Sequence, residues 1–236
     1  MLSSLEEIPV SNLLLAALPQ KDQAELLKHC EQVELVLAEE LYQAGDIIPH
    51  VYFPIESFIS LITPVEDNAN LEVGLTGNEG MLGITLILGL DVAPFRALVQ
   101  GAGSAFRITT ALFRQQLAQS PALQQLLKRY LYVSIKQLAQ NGACTRFHVV
   151  EARLARWLLM TEDRAHSKHF HITHVFLAYI LGVRRVGVTR AASSLQNRKL
   201  ISYQRGDVTI LDRAGLEAAS CKCYQTDKQI YQNILG

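Results

Sequence analysis

The sequence predicts an α+β fold in which a β jelly roll, one long helix and a compact helical domain with a hairpin follow one another. Three observations support this prediction. Short β-rich runs separated by turn residues fill the region from about residue 41 to 108. A long apolar stripe with helical spacing begins after Ser120-Pro121. The last third of the chain alternates amphipathic helices with a hairpin signal.

The composition is that of a globular protein. The chain has 236 residues, of which 49% are hydrophobic and 19% charged, so it can bury a core without disulfides and is not disordered. The longest apolar run, residues 175–183, is too short to span a bilayer, and residues 1–7 do not resemble a signal peptide. The cysteines are too scattered for a disulfide scaffold, so we expect a cytoplasmic protein; they are Cys30, Cys144, Cys221 and Cys223.

The first half of the chain predicts helices and then strands. Residues 11–40 are predicted helical, because leucines such as Leu14 and Leu18 recur at helical spacing. Strands are predicted near residues 51–53, 58–62, 71–75, 95–99 and 105–108, with turns at Gly45, Asn68, Gly77, Gly89 and Gly101. Such short, evenly spaced strands are typical of a sandwich or barrel. We therefore assign residues 1–119 to a jelly roll, 120–145 to a linking helix and 146–236 to a second domain.

The linking helix carries more apolar surface than a small jelly roll can cover. Ser120 is a suitable N-cap and Pro121 a suitable first helical residue, and the helix is predicted to end near Gly142. A homodimer with coiled-coil-like pairing is the favoured explanation, and packing within one chain is the alternative. The predicted dimer residues are Leu123, Leu127, Tyr130, Leu131, Ser134 and Leu138.

The formal net charge of zero hides an asymmetry. Residues 1–145 contain 8 basic and 15 acidic residues, whereas residues 146–236 contain 14 basic and 7 acidic ones. No acidic residue lies between Asp163 and Asp207. Such a basic segment either binds a polyanion or contacts the acidic half of the same chain, and charge alone does not choose between them.

Residues 173–197 have the pattern of a helix-turn-helix. Thr173 can cap a helix of residues 174–181, after which Gly182 and Val183 form a turn and a second helix begins. Small side chains are needed where the helices cross and glycine where the backbone turns. The predicted core of the motif is Leu177, Ala178, Gly182 and Val188.

The outward face of the second helix is suited to DNA. An arginine can donate two hydrogen bonds to guanine, so we predict base contacts from Arg185, Val186, Thr189 and Arg190. Residues 200–211 predict a hairpin with Arg205-Gly206-Asp207 at its tip, which makes the motif a winged variant. The predicted contacts to the DNA backbone are Arg184, Ser193, Arg198, Lys199 and Arg205.

These motifs resemble the Crp/Fnr family of bacterial transcription regulators. The resemblance is closest over residues 172–201, and residues 45–54, 77–81 and 151–160 follow the family order. It implies an N-terminal sensor domain, a dimerisation helix and a winged helix-turn-helix that binds a palindromic operator. The implied partners are double-stranded DNA, a second copy of the chain, RNA polymerase and an unknown small-molecule effector. The family's recognition positions fall on Arg185, Val186 and Arg190.

Two departures from the family pattern bear on specificity. Relatives commonly have glutamate where this chain has Val186, which can contact a thymine methyl but cannot accept a hydrogen bond from cytosine. Cyclic-nucleotide binders have a Gly-Glu-Leu turn followed by an Arg-Ser pair. Here Glu79-Gly80 and Arg96 are wrongly spaced and the serine is missing, so cyclic nucleotide is not favoured. The candidate effector pocket consists of Glu79, Gly80 and Arg96.

No catalytic or metal-binding site is expected. Cys221 and Cys223 are one residue apart, and two thiolates do not complete a zinc site, which needs four ligands. His166, His169, His171 and His174 are interpreted as ordinary polar residues near DNA rather than as metal ligands. The sequence contains no recognised catalytic motif, so an enzyme is not expected. The alternative function is a ligand- or protein-binding sensor whose basic domain contacts an acidic partner.

Overall fold

The first domain is a two-sheet antiparallel jelly roll, as predicted. The structure is a computed structural model that describes residues 12–65 and 70–236; the expectation for residues 1–7 and the turn at Asn68 lie outside them. One sheet has the order β1-β7-β3, with strands Glu31–Leu35, Gly103–Thr109 and His50–Pro54. The other has the order β2-β6-β4-β5, with strands Glu40–Tyr42, Arg96–Gly101, Phe58–Pro64 and Asn70–Thr76. Their facing side chains form a core with Phe53, Ile59 and Ile108 fully buried.

The prediction that residues 11–40 are helical is correct only for their first part. Two short helices, α1 (Leu13–Ala16) and α2 (Gln20–Leu27), are followed by β1 and β2. In β1 the half-buried Val33 and the buried Leu35 lie two residues apart, which is the period of a strand. Antiparallel pairing with β7 therefore outweighs the local helical spacing.

The long helix runs further than predicted. After α3 (Thr110–Gln119), α4 spans Pro121–Phe147, and the Ser120 hydroxyl caps it by accepting from the Leu123 N–H at 3.0 Å. The predicted end at Gly142 is wrong. Gly142 lies inside α4 and is not among the glycines with positive φ, so it marks no turn, and the buried Cys144 anchors the final turn against the C-terminal helix.

The second domain is a winged helix-turn-helix, as predicted. Helix α5 leads into a three-stranded sheet of order β8-β10-β9, the helices α6 and α7, and two final helices. Their bounds are α5 Val150–Ala165, β8 His169–His171, α6 His174–Leu181, α7 Arg185–Asn197, β9 Ile201–Gln204, β10 Asp207–Ile210, α8 Arg213–Ala219 and α9 Cys223–Leu235. A separate core holds this domain together, with Leu154, Leu158 and Leu195 at its centre.

The two domains pack closely through polar and apolar contacts. Arg164 of α5 forms an ion pair with Glu79 at 2.6 Å, and the Trp157 indole N–H donates to Glu72 of β5 at 2.8 Å. Phe58 and Leu75 of the jelly roll belong to the apolar core of the second domain. Among the described residues, no helix is long and apolar enough to cross a membrane.

Candidate nucleic-acid interface

The helix pair α6–α7 is built by the residues that the sequence predicted for its core. The Thr173 hydroxyl accepts from the Phe176 N–H at 3.2 Å and so caps α6. Gly182 ends α6 with φ +61°, a left-handed conformation that favours glycine. Leu177 and Val188 are fully buried between the helices, and Ala178 is half-buried. This core fixes the direction in which the rest of α7 points.

The opposite face of α7 is open to solvent. Arg185, Val186, Thr189 and Arg190, which were predicted to contact bases, are all exposed, and so is Ser193. Val186 is 55% exposed, so its methyl groups are accessible on this face. The helix thus presents two arginine forks on either side of a small apolar surface.

Most of the cations at this surface have no anionic partner within the described residues. Among those residues no ion pair involves Arg184, Arg185, Arg190, Lys199 or Arg205. Arg198 differs, since it contacts Glu151 of α5 at 3.0 Å in an exposed pair. Clustered, unneutralised cations produce the positive surface potential that attracts a polyanion.

His174, which the sequence predicts as an ordinary polar residue near DNA, connects two elements of this interface. Its Nδ1 lies 3.2 Å from the Thr189 hydroxyl, and its ring packs against Tyr203 with centroids 4.4 Å apart. Burial, assisted by the charge of Arg185, lowers the pKa of His174 below its ordinary value. The neutral ring therefore positions α7 relative to β9.

The wing places Arg205 at an exposed tip, as predicted. Arg205 and Gly206 have φ +52° and +97°, and a Cβ at Gly206 would lie 2.5 Å from the His171 ring. His171 contacts Asp207 at 2.9 Å, and His169 contacts Thr209 at 3.0 Å. These two histidines therefore brace the hairpin.

The residues proposed as an effector pocket are not brought together. Glu79 is ion-paired with Arg164, whereas Arg96 is paired with Glu40 and donates to the Tyr179 hydroxyl at 2.9 Å. Gly80 packs so tightly beneath Tyr130 that a Cβ would lie 2.1 Å from its hydroxyl oxygen. The expectation of a shared pocket is wrong because strand pairing directs Arg96 away from the cavity that its neighbour Phe95 lines.

That cavity, which we call the sensor cavity, has a volume of about 250 Å³. It lies between β5, the 3-10 helix Ile84–Leu88 and α4. Apolar side chains dominate its wall, and no charged residue of the described chain lines it. Representative lining residues are Tyr42, Leu61, Met81, Phe95, Tyr130 and Leu138. A second cavity of about 540 Å³ lies between the domains, beside Glu79, Trp157 and Asp227.

The predicted dimer stripe on α4 divides into two parts. Leu123, Leu127 and Tyr130 are buried against the jelly roll of the same chain, so they cannot face a partner. Leu131, Ser134 and Leu138 remain partly exposed. Beside them, Ile135 is 55% and Tyr132 50% exposed. The apolar surface available to a second copy is therefore centred on Leu131, Ile135 and Leu138.

The structure places two further side chains that can bind metal beside Cys221 and Cys223. The thiols of Cys144, Cys221 and Cys223 and a ring nitrogen of His148 all lie within 4.8 Å of one another. Cys144 and His148 lie far from the other two in sequence, at the end of α4. Only the packing of α9 against α4 brings them together.

Comparison with known proteins agrees with this geometry. The structure joins a jelly roll through a long helix to a winged helix-turn-helix. Residues 152–219 match the family described as "Crp-like helix-turn-helix domain". This match confirms the resemblance to the Crp/Fnr family for the helix-turn-helix domain. Comparison with curated proteins gave no match.

Solved structures of low sequence identity share the fold. The regulator CLP of Xanthomonas campestris, described as responsive to c-di-GMP, has a TM-score of 0.66 and 17% identity, over 81% of this chain and 99% of its own. FixK2 of Bradyrhizobium japonicum has a TM-score of 0.67 and 13% identity, over 81% and 98%. A Crp-family transcriptional regulator of Thermus thermophilus has a TM-score of 0.66 and 17% identity, over 80% and 96%. The chain therefore has the fold of Crp/Fnr regulators.

Proposed function

We propose that this protein is a homodimeric, sequence-specific DNA-binding transcription regulator that acts in the cytoplasm on a palindromic operator. The observation that carries the proposal is the exposed face of α7, where Arg185 and Arg190 have no ion-pair partner among the described residues. The arginine forks match guanine O6 and N7, and Val186 between them can contact a thymine methyl. An acidic protein partner would account for the charge alone, whereas DNA also offers the thymine methyl that Val186 can contact.

The dimer of this proposal uses the exposed part of α4. Leu131, Ile135, Leu138 and Gly142 are spaced by four, three and four residues, which places them on one side of the helix. Gly142 has open space around it, so a second helix could approach closely there. Two recognition helices held by such a dimer would enter major grooves about 34 Å apart.

Effector sensing is assigned to the sensor cavity. Leu131, Ile135 and Leu138 line this cavity as well as the proposed dimer surface, so a molecule bound there would influence how two α4 helices pack. The wall described has no cation to neutralise a phosphate, so we propose a small, largely uncharged effector and not a cyclic nucleotide. Contact with RNA polymerase stays a prediction from the resemblance.

Selection from a random duplex pool tests the proposal. The purified full chain is expected to enrich an inverted repeat whose half-sites are one helical turn apart. Arg185→Ala and Arg190→Ala are each expected to lower preference for the selected site by about 10- to 100-fold, because a bidentate contact to guanine contributes about 1–3 kcal/mol. Arg129→Ala, which removes an exposed arginine from α4, is the matched control and is expected to change nothing.

The outcomes separate the two functions. Enrichment of an inverted repeat that both arginine variants bind as well as the parent chain would show that α7 is not the recognition helix. Absence of any enriched sequence, both with and without added cyclic AMP and cell extract, would favour the acidic-partner function. A site that is enriched only with cyclic AMP would contradict the assignment of an uncharged effector.

A further inference from the structure

Four metal-ligating side chains meet where the long helix joins the second domain. Cys144 lies in the last turn of α4, and His148 is the residue at which α4 ends. Cys221 lies between α8 and α9, and Cys223 is the first residue of the C-terminal helix α9. We call this group the junction cluster. Its four ligand atoms come from two separate parts of the sequence and lie within 4.8 Å of one another.

The distances fit a single tetrahedral ion. The sulfur atoms of Cys144 and Cys221 are 3.5 Å apart, and the Cys223 sulfur is 3.5 Å from His148 Nδ1. Two thiolates bound to one zinc ion at about 2.3 Å and at tetrahedral angles are about 3.8 Å apart. An iron–sulfur cluster would hold some of its ligands further apart, since they are distributed over two or more iron atoms. The sulfur separation is also too long for a disulfide, whose S–S bond is about 2.05 Å.

We propose that Cys144, His148, Cys221 and Cys223 bind one Zn²⁺ ion in a closed structural site. Three thiolates and one imidazole form one of the ligand sets that zinc uses in structural sites. The set leaves no open position for a substrate, so the site has no catalytic role. Zinc is favoured over harder cations because sulfur ligands select soft or borderline metals.

The surroundings of the junction cluster are suited to thiolates. The Gln140 side-chain amide donates to the Cys223 sulfur at 2.9 Å, the kind of outer contact that orients a metal ligand. Three thiolates and a divalent ion leave one net negative charge, and the buried guanidinium groups of Arg153 and Arg156 lie close enough to act on the thiols electrostatically.

The position of the site indicates what the metal would do. His148 and Val149 connect α4 to α5, so they set the angle between the long helix and the DNA-binding domain. A zinc ion held by His148 and by the start of α9 would cross-link this connection to the C-terminal helix. Since unbound ligands rarely adopt this arrangement in an unfolded chain, the binding free energy adds to the stability of the domain junction.

Cobalt titration tests the proposal directly. The full chain, stripped of metal by a chelator under reducing conditions, is titrated with Co²⁺, whose absorption reports tetrahedral thiolate coordination. We expect one Co²⁺ per chain, an intense d–d band, a thiolate charge-transfer band, and displacement of both by one equivalent of Zn²⁺. Cys144→Ser and His148→Ala are each expected to weaken Co²⁺ binding by about 100-fold or more, because each removes one of four ligands.

The matched control is Cys30→Ser. Cys30 is in the jelly roll, and burial raises the pKa of its thiol to about 12. This thiol is therefore expected to stay protonated and not to bind the metal. Its variant should bind Co²⁺ like the parent chain. Absence of thiolate absorption in the parent chain, or equal binding by Cys144→Ser, would overturn the proposal. So would formation of a Cys144–Cys221 disulfide in the reducing buffer without metal uptake.

A folding control keeps the result interpretable. If circular dichroism shows that Cys144→Ser is unfolded, His148→Ala becomes the deciding variant because it leaves all three thiols in place. Weaker tetrahedral Co²⁺ binding by a folded His148→Ala chain supports the four-ligand site. Unchanged Co²⁺ affinity together with an unchanged absorption spectrum contradicts it. Metal binding does not depend on the DNA-binding proposal, so either can fail without the other.

Discussion

The arginines of α5 and those of α7 belong to the same basic half of the chain but have opposite environments. On α5, Arg156 contacts Asp227 at 2.6 Å and Arg164 contacts Glu79 at 2.6 Å. Each of these two arginine side chains is about one-tenth exposed. On α7, Arg185 and Arg190 are exposed and form no ion pair with a described residue. The first pair holds the molecule together, and the second is available to a partner.

This difference resolves an ambiguity that the charge count leaves open. A net charge of +7 over residues 146–236 is compatible with a polyanion partner and with contacts to the acidic half. The structure contains both arrangements in different helices. Arg164 bridges to Glu79 of the acidic half, while the cations of α7 and the wing remain unneutralised by the described residues. The net charge therefore indicates a surface for a partner only when the structure shows which cations lie on an exposed face without an anionic partner.

Breaking the Arg156–Asp227 pair should give the largest effect on stability. Arg156→Leu leaves the buried Asp227 carboxylate without its cation, which is expected to cost about 3–5 kcal/mol. Arg190→Ala on the exposed face is expected to change stability by less than about 0.5 kcal/mol. Urea denaturation followed by the fluorescence of Trp157, the single tryptophan, measures both values.

A double variant separates pair loss from side-chain loss. Removing both charges in Arg156→Leu/Asp227→Leu should recover most of the lost stability, because an apolar pair of similar volume commonly substitutes for a buried ion pair. Equal destabilisation by Arg156→Leu and Arg190→Ala would show that the two arginine environments do not differ energetically. The comparison between α5 and α7 would then fail.

The helix-turn-helix was predictable because its determinants are local. Thr173, Gly182 and the spacing of Leu177 and Val188 specify two helices and a turn within a short segment. The exposed face of α7 then follows from helical periodicity alone. The jelly-roll strands were also recognisable, whereas β1 was missed because its partner β7 lies about seventy residues away.

The parts that sequence reasoning missed depend on contacts between distant segments. Arg96 and Glu79 were grouped by family analogy, but strand facing and the ion pair to Arg164 separate them. The junction cluster was missed because its residues become neighbours only when α9 packs on α4. Leu123, Leu127 and Tyr130 were predicted to contact a second copy, but they pack against the jelly roll of the same chain, which is also a contact between distant segments. A stripe shows that a face is buried but not what buries it.

Glu72 provides the next test, because it is a buried acid between the same two domains. Burial raises its pKa to about 7 from 4.5, although hydrogen bonds from Ser60 and Trp157 and the charges of Arg164 and Arg156 act to lower it. A raised folded-state pKa means that the folded chain holds a proton that the unfolded chain releases. Its stabilising contribution is therefore complete below about pH 4.5 and is lost as the pH rises to about 7.

Glu72→Gln should remove this pH dependence. The variant is expected to be more stable than the parent chain at pH 8, by up to about 3 kcal/mol, and equally stable near pH 4. Thermal denaturation monitored by circular dichroism across this range measures the difference. Glu34→Gln, which removes an exposed carboxylate, is the control for loss of charge. A variant that is less stable at pH 8 would mean that the ionised Glu72 is held favourably by Trp157 and the arginines.

The smallest predicted effect concerns Arg205 at the wing tip and depends on the DNA-binding proposal. Arg205→Gln keeps a Cβ at φ +52°, so backbone strain in the hairpin stays the same while the charge is lost. If Arg205 neutralises one phosphate, the slope of log K against log salt concentration should fall in magnitude by about 0.9, equally for selected and random duplexes. Fluorescence anisotropy over a range of salt concentrations measures this slope, with the exposed Lys21→Gln of α2 as the control.

An unchanged slope would place Arg205 outside the DNA contact and restrict the interface to α7. A loss of affinity for the selected duplex alone would instead make Arg205 a base contact, so the wing would share in sequence recognition.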